Sequence, residues 1–97
     1  KFNFICKEYD ILPTNNFVEN LSLLLDLYKK KRDVLIMNLL FYLTDQYLKY
    51  VKDKNLLKSD KIFEMKNYIF DNLNNFFLYN INQNSLINAI NKKLIHE

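Results

Sequence analysis

The sequence predicts an all-α fold, an antiparallel bundle of about four helices, on three observations. There is no glycine and only one proline in 97 residues, so the primed hairpin turns that join β-strands and favour glycine are scarce. Apolar residues recur at three- and four-residue spacing through most of the chain, the period of one helix face. The segments that carry this period are separated by short polar clusters, and short connections favour antiparallel neighbours.

The opening segment, "KFNFICKEYDIL", alternates apolar and polar at Phe2, Phe4 and Cys6 and then loses the pattern. A short strand and the truncated end of a preceding helix both fit. Residues 1–12 are therefore expected to end a preceding segment, and residues 13–97 to form the helical bundle. Pro13 marks the boundary. Asn16, with Glu19 three residues on, resembles a capping box. Phe17, Leu21, Leu24, Leu25 and Tyr28 follow at helical spacing, so a first helix is expected over about 16–31. Lys29, Lys30, Lys31 and Arg32 at its end suit the negative pole of the helix dipole.

Asp33 can cap a second helix over roughly 33–53. Ile36, Leu40, Leu43, Tyr47 and Tyr50 line one face, with Met37, Phe41 and Leu48 beside it. A stripe that wide suits a central helix touched on two sides. The stretch "DKNLLKSD" breaks the pattern, and Ser59 or Asp60 is expected to cap a third helix reaching about Tyr79. Its apolar face is Ile62, Met65, Ile69, Leu73, Phe76 and Phe77.

The chain closes on "FLYNINQNSLINAINKKLIHE". Asparagine tolerates the left-handed backbone that glycine would otherwise supply at a helix end, and its side chain also accepts amide hydrogen bonds as an N-cap. Asn80 is thus expected to close the third helix, and Asn82 or Asn84 to open a fourth. Leu86 or Ile87, then Ile90 and Leu94, form the inner face of that last helix. Sustained heptads over many turns are absent, which excludes a long coiled coil.

Several function classes are excluded or disfavoured. Without glycine there is neither a P-loop nor a dinucleotide-binding fingerprint. One cysteine, Cys6, and one histidine, His96, cannot form an internal disulfide or a Cys/His zinc site. His96 has no partner at metal-ligand spacing, and the acidic residues form no pair that periodicity would bring into a cleft. No catalytic residue, cofactor site or metal site is expected. The longest apolar run, "VLIMNLLFYL", is about half of what spans a bilayer, so no membrane or small-molecule partner is expected. A free thiol fits a reducing cytosol. The chain starts at Lys1 with no signal-peptide pattern, which reads as the cut end of a longer, cytoplasmic protein.

The run Lys29, Lys30, Lys31 and Arg32 is a weak candidate for a phosphate-contacting patch. A net charge of +3 favours a solvated helix end instead, and no direct nucleic-acid contact is expected. Lys, Asn, Ile, Tyr and Phe all have A/T-rich codons, so their abundance reads first as coding bias. Most of the aromatics fall on apolar stripes and read as core. Tyr9, Tyr42 and Tyr68 fit those stripes least well and are candidates for exposed contacts. The sequon at Asn20 lies within the first helix and reads as chance.

The tail "YNINQNSLINAINKKL" resembles the C-terminal helix corner of bacterial DNA polymerase III clamp-loader subunits, most nearly the delta-prime type. Asn80 and Asn82 match that family's asparagine pair, and Ile87, Ile90 and Leu94 its aliphatic positions. Ser85 and Asn88 depart from the pattern, and the arginine common in the preceding helix is missing. "KKKRDVLI" is similar to a basic-Arg-Asp-aliphatic stretch in an earlier helix of the same domain. The resemblance implies a helical collar domain, which packs beside other clamp-loader subunits and supports clamp loading in DNA replication. It further implies that the domain binds neither nucleotide nor the clamp. A helical adaptor for another protein and a small basic nucleic-acid-binding bundle are the alternatives.

Overall fold

The computed structural model of the chain describes residues 4, 6, 7, 11 and 16–96. Among them are four helices and no strand: α1 (Phe17–Lys31), α2 (Val34–Asp53), α3 (Ser59–Tyr79) and α4 (Gln83–His96). The protein is an all-α bundle of four helices. Phe4, Cys6 and Lys7 also have helical backbone; Phe2, Tyr9 and Pro13 lie outside the described residues. Ile11 is buried in the same core as the four helices, and its amide donates to the Cys6 carbonyl at 2.7 Å.

Each helix presents one apolar stripe to a shared centre. Leu21, Leu24 and Leu25 from α1, Leu39, Leu40 and Leu43 from α2, Ile69 and Leu73 from α3, and Leu86 and Ile90 from α4 are all essentially inaccessible to solvent. The stripe of α2 is the widest, because it also buries Ile36, Thr44, Leu48 and Val51. Thr44 joins that stripe without an orphaned hydroxyl, since its Oγ1 donates to the Leu40 carbonyl at 3.0 Å, a bond a helix interior offers to threonine.

The side-chain pairs fix the directions. Asp45 pairs with Lys66 and Phe41 packs on Phe70, so a step back along α2 matches a step forward along α3. Phe17 stacks on Tyr47, Lys93 lies over Tyr68, and Gln83 reaches Asp26. Every adjacent pair, including α1 with α4, therefore runs antiparallel, and α4 closes the ring against α1.

The helix ends show two departures from the sequence reading. Asn16 does not cap through its side chain: its backbone is left-handed, φ 53° and ψ 47°, whereas an N-cap side chain needs extended backbone to reach the first-turn amides. Only its carbonyl takes part, accepting from the Asn20 amide at 2.9 Å. Likewise, neither Ser59 nor Asp60 caps α3. The helix begins at Ser59 with Lys58 in the cap position and no side-chain bond there. Asp60 falls in the first turn, where its charge still complements the dipole. Asp33 does cap α2, accepting from the Leu35 amide at 2.9 Å.

Candidate interaction surface

Two tight corners lie at the same end of the bundle. At the first, Arg32 takes the left-handed conformation, φ 53°, and its amide returns to the Tyr28 carbonyl at 2.7 Å. At the second, Asn80 has φ 55° and ψ 44°, and its amide donates to the Phe76 carbonyl at 2.9 Å. Asn82 rather than Asn84 opens α4, its Oδ1 accepting from the Ser85 amide at 3.0 Å. The opening of α4 is also tied to α1. The Gln83 amide nitrogen donates to Asp26 Oδ1 at 2.9 Å, with the Ser22 carbonyl at 3.4 Å, while its Oε1 is buried without a hydrogen-bond partner.

On α4 the deepest residues are Leu86 and Ile90. Ile87 and Leu94 are only partly buried against the core, so the inner face is centred one residue earlier than the Ile87–Ile90–Leu94 row. The reason is helical geometry: Leu86 and Ile90, four apart, share the line that faces the centre. Tyr42 and Tyr68 are partly buried against the same core rather than exposed. Tyr9 lies outside the described residues, as does the side chain of His96.

Lys29, Lys30, Lys31 and Arg32 are all exposed. Among the described residues the three lysines form no ion pair. The Arg32 guanidinium lies 5.4 Å over the Tyr28 ring, a cation–π contact. This contact links the basic run to a second feature of the surface.

That feature is a strip of half-buried rings contributed by α1, α2 and α3. Phe41 meets Phe70 edge-on at 4.9 Å and Phe77 at 5.8 Å, and Phe77 meets Tyr28 at 4.8 Å. Cations sit at both ends of the strip. Arg32 covers Tyr28, and Lys66 lies 5.4 Å from the Phe70 ring centre while bonding Asp45 at 3.0 Å. The signal in the sequence is a spacing of seven, present on both helices: Val34, Phe41 and Leu48, and Phe63, Phe70 and Phe77. The register set by Phe41 with Phe70 places Val34 level with Phe77 and Leu48 level with Phe63. The ends of the seam are open, for Val34 is 60% and Phe63 65% exposed, whereas Leu48 is buried in the core.

Two titratable groups are shifted. Burial pushes the Tyr47 phenol above its ordinary 10.0, with the neighbouring Tyr50 adding to the effect. Burial likewise raises the Cys6 thiol, which lowers its thiolate fraction and its reactivity. Among the described residues no group of His, Cys, Asp or Glu is arranged to hold a metal ion, and no helix is long and apolar enough to cross a membrane. No family model, no curated protein sequence and no solved structure matches the chain.

Proposed function

We propose that the chain is a non-catalytic assembly domain, which closes its own core and uses the apolar surface left over to hold another protein chain. The observation that carries this reading is the α2–α3 seam, where Val34 and Phe63 remain mostly exposed at the two ends of a strip of half-buried rings. Exposed apolar side chains beside aromatic rings are a feature of protein interaction sites, whose centres are enriched in aromatic residues.

The collar of a DNA polymerase III clamp loader is the most specific form of this proposal, and it rests on the resemblance of the tail around Asn80 and Asn82 and of the stretch KKKRDVLI. In that form the partners are the other clamp-loader subunits. The domain then contributes to clamp loading by joining subunits, with no nucleotide, nucleic-acid or membrane contact of its own. The test is sedimentation velocity of the full-length protein mixed with the clamp-loader subunits of its host. A larger species containing both is the expected result. Separate sedimentation would end the collar form and leave an adaptor for a different protein partner.

A further inference from the structure

Independently of the assembly reading, we propose that the Asn80–Asn82 corner is a hinge across which two copies of this chain exchange α4. The single copy is the resting form. In the exchanged dimer α3 and α4 run on as one helix, and each α4 takes, in the other copy, the seat against α1 that it has left in its own. The sequence carries both shapes. Counted as one helix, Met65, Ile69, Leu73 and Phe76 are followed at three- or four-residue steps by Asn80, Gln83, Ile87, Ile90 and Leu94. The apolar stripe of α3 therefore passes through the corner in phase. The inward face of α4 also extends back over the corner. Tyr79, Gln83, Leu86 and Ile90 are spaced four, three and four; the last three are buried, whereas Tyr79 is 72% exposed. Folding back at Asn80 leaves Tyr79 out of that row, and straightening lines it up with the face that packs on the second copy.

The corner is built to open. Asn80 is held left-handed at φ 55°, a conformation that costs an L-residue energy and that a continuous helix removes. A short, strained connection of this kind invites exchange between copies. The seat of α4 is imperfect as well, because Gln83 donates to Asp26 but buries its Oε1 without a partner, which weakens the hold of α1 on α4. From Asn72 to Asn91 the chain has no charged residue, so the two straightened helices cross without like charges meeting on them. Lys29, Lys30, Lys31 and Arg32 are exposed at the same end of the bundle. Two copies joined there bring their basic runs together, so screening by salt favours the dimer.

Sedimentation velocity over a range of chain concentrations reads the dimer. Asn80→Ala strains the left-handed corner and suits a continuous helix, so it should lower the dimer dissociation constant by about a hundredfold, about tenfold for each of the two corners opened. Asn82→Ala, which removes the cap of α4 and leaves Asn80 in place, should act in the same direction. Asn80→Gly tolerates the corner and weakens a continuous helix, so it should stay monomeric where Asn80→Ala is dimeric. Cross-linking reads the exchange itself. With Cys6→Ser in both, one chain carries Asp26→Cys and the other Gln83→Cys, at the 2.9 Å contact between α1 and α4. A short bis-maleimide should join the two chains in the Asn80→Ala background and not in the Asn80→Gly background. Val34→Ser/Phe63→Ser should leave the dimer intact, because the α2–α3 seam takes no part in the exchange. Variants at Asn80 and Asn82 that fold and stay monomeric would overturn the proposal. So would a dimer whose chains do not join between positions 26 and 83, one lost with Val34 and Phe63, or one that salt weakens. Any of these results leaves the assembly reading standing.

Discussion

Replacing Asn80 tests how the chain turns without glycine. The residue sits at φ 55° and ψ 44°, with its amide 2.9 Å from the Phe76 carbonyl. Any residue but proline keeps that bond, so the substitutions differ only in how their side chains tolerate the left-handed backbone. For an ordinary L-residue the clash of Cβ with the following carbonyl is worth roughly 1–2 kcal/mol, and branching at Cβ aggravates it. Glycine has no Cβ and escapes the clash, at a smaller entropic cost in the unfolded chain. Asn80→Val is therefore expected to be about 1–2 kcal/mol less stable than Asn80→Gly. For a domain of this size each kcal/mol moves the melting temperature by about 4–8 °C. Thermal unfolding followed by far-ultraviolet circular dichroism resolves such a gap. Coincident melts of the two variants would show that the corner does not depend on a left-handed residue at position 80.

Other substitutions probe the core, the seam and the titration. Ile90, fully buried, should lose roughly 2–5 kcal/mol on truncation to Ala, and the partly buried Leu94 clearly less; urea unfolding that ranks them the other way would misplace the inner face of α4. Asp45→Lys sets like charges across the α2–α3 seam and should destabilise by no more than about 1 kcal/mol. Adding Lys66→Asp should restore most of that loss, and a failure to restore it would contradict the register. Tyr47 is raised above 10.0 by burial and by Tyr50. A raised phenol contributes stability that is present below its unfolded pKa and is lost as pH climbs toward the folded value. The protein should accordingly weaken above about pH 10. Tyr47→Phe should flatten that loss in denaturant titrations, and an unchanged slope would assign it to other groups.

What the sequence makes legible is whatever depends on local spacing. The three- and four-residue period places all four helices, and Asp33 and Asn80 announce their corners because their side chains have few competing local roles. Caps that depend on the incoming backbone are not legible in this way. Asn16 and Glu19 have the letters of a capping box, but the left-handed entry at Asn16 turns the side chain away from the amides it would satisfy. Arg32 hides the opposite case, a left-handed corner at a residue with no preference for it, held by its return bond to Tyr28 and a contact over the Tyr28 ring. Phe41 and Phe77 read as ordinary core residues from one helix at a time. Their place in a ring strip emerges only when α2 and α3 are set side by side, since the seven-residue spacing on either helix alone is compatible with a buried stripe. On α4 the aliphatics at 86, 87, 90 and 94 leave the centre of the face ambiguous by one residue, and packing against α1 and α3 selects Leu86 and Ile90.

On the proposed reading the bundle keeps its core to itself and offers the α2–α3 seam to a partner. Hydroxyl-radical footprinting of the domain alone and of the full-length protein in its assembly measures this most directly, because it reports side-chain exposure residue by residue. Val34 and Phe63 should be readily oxidised in the free domain and protected in the assembly. Ile95, 70% exposed near the end opposite the corners, should be oxidised equally in both. Protection of Ile95 with undiminished oxidation of Val34 and Phe63 would place the interface elsewhere and contradict the account.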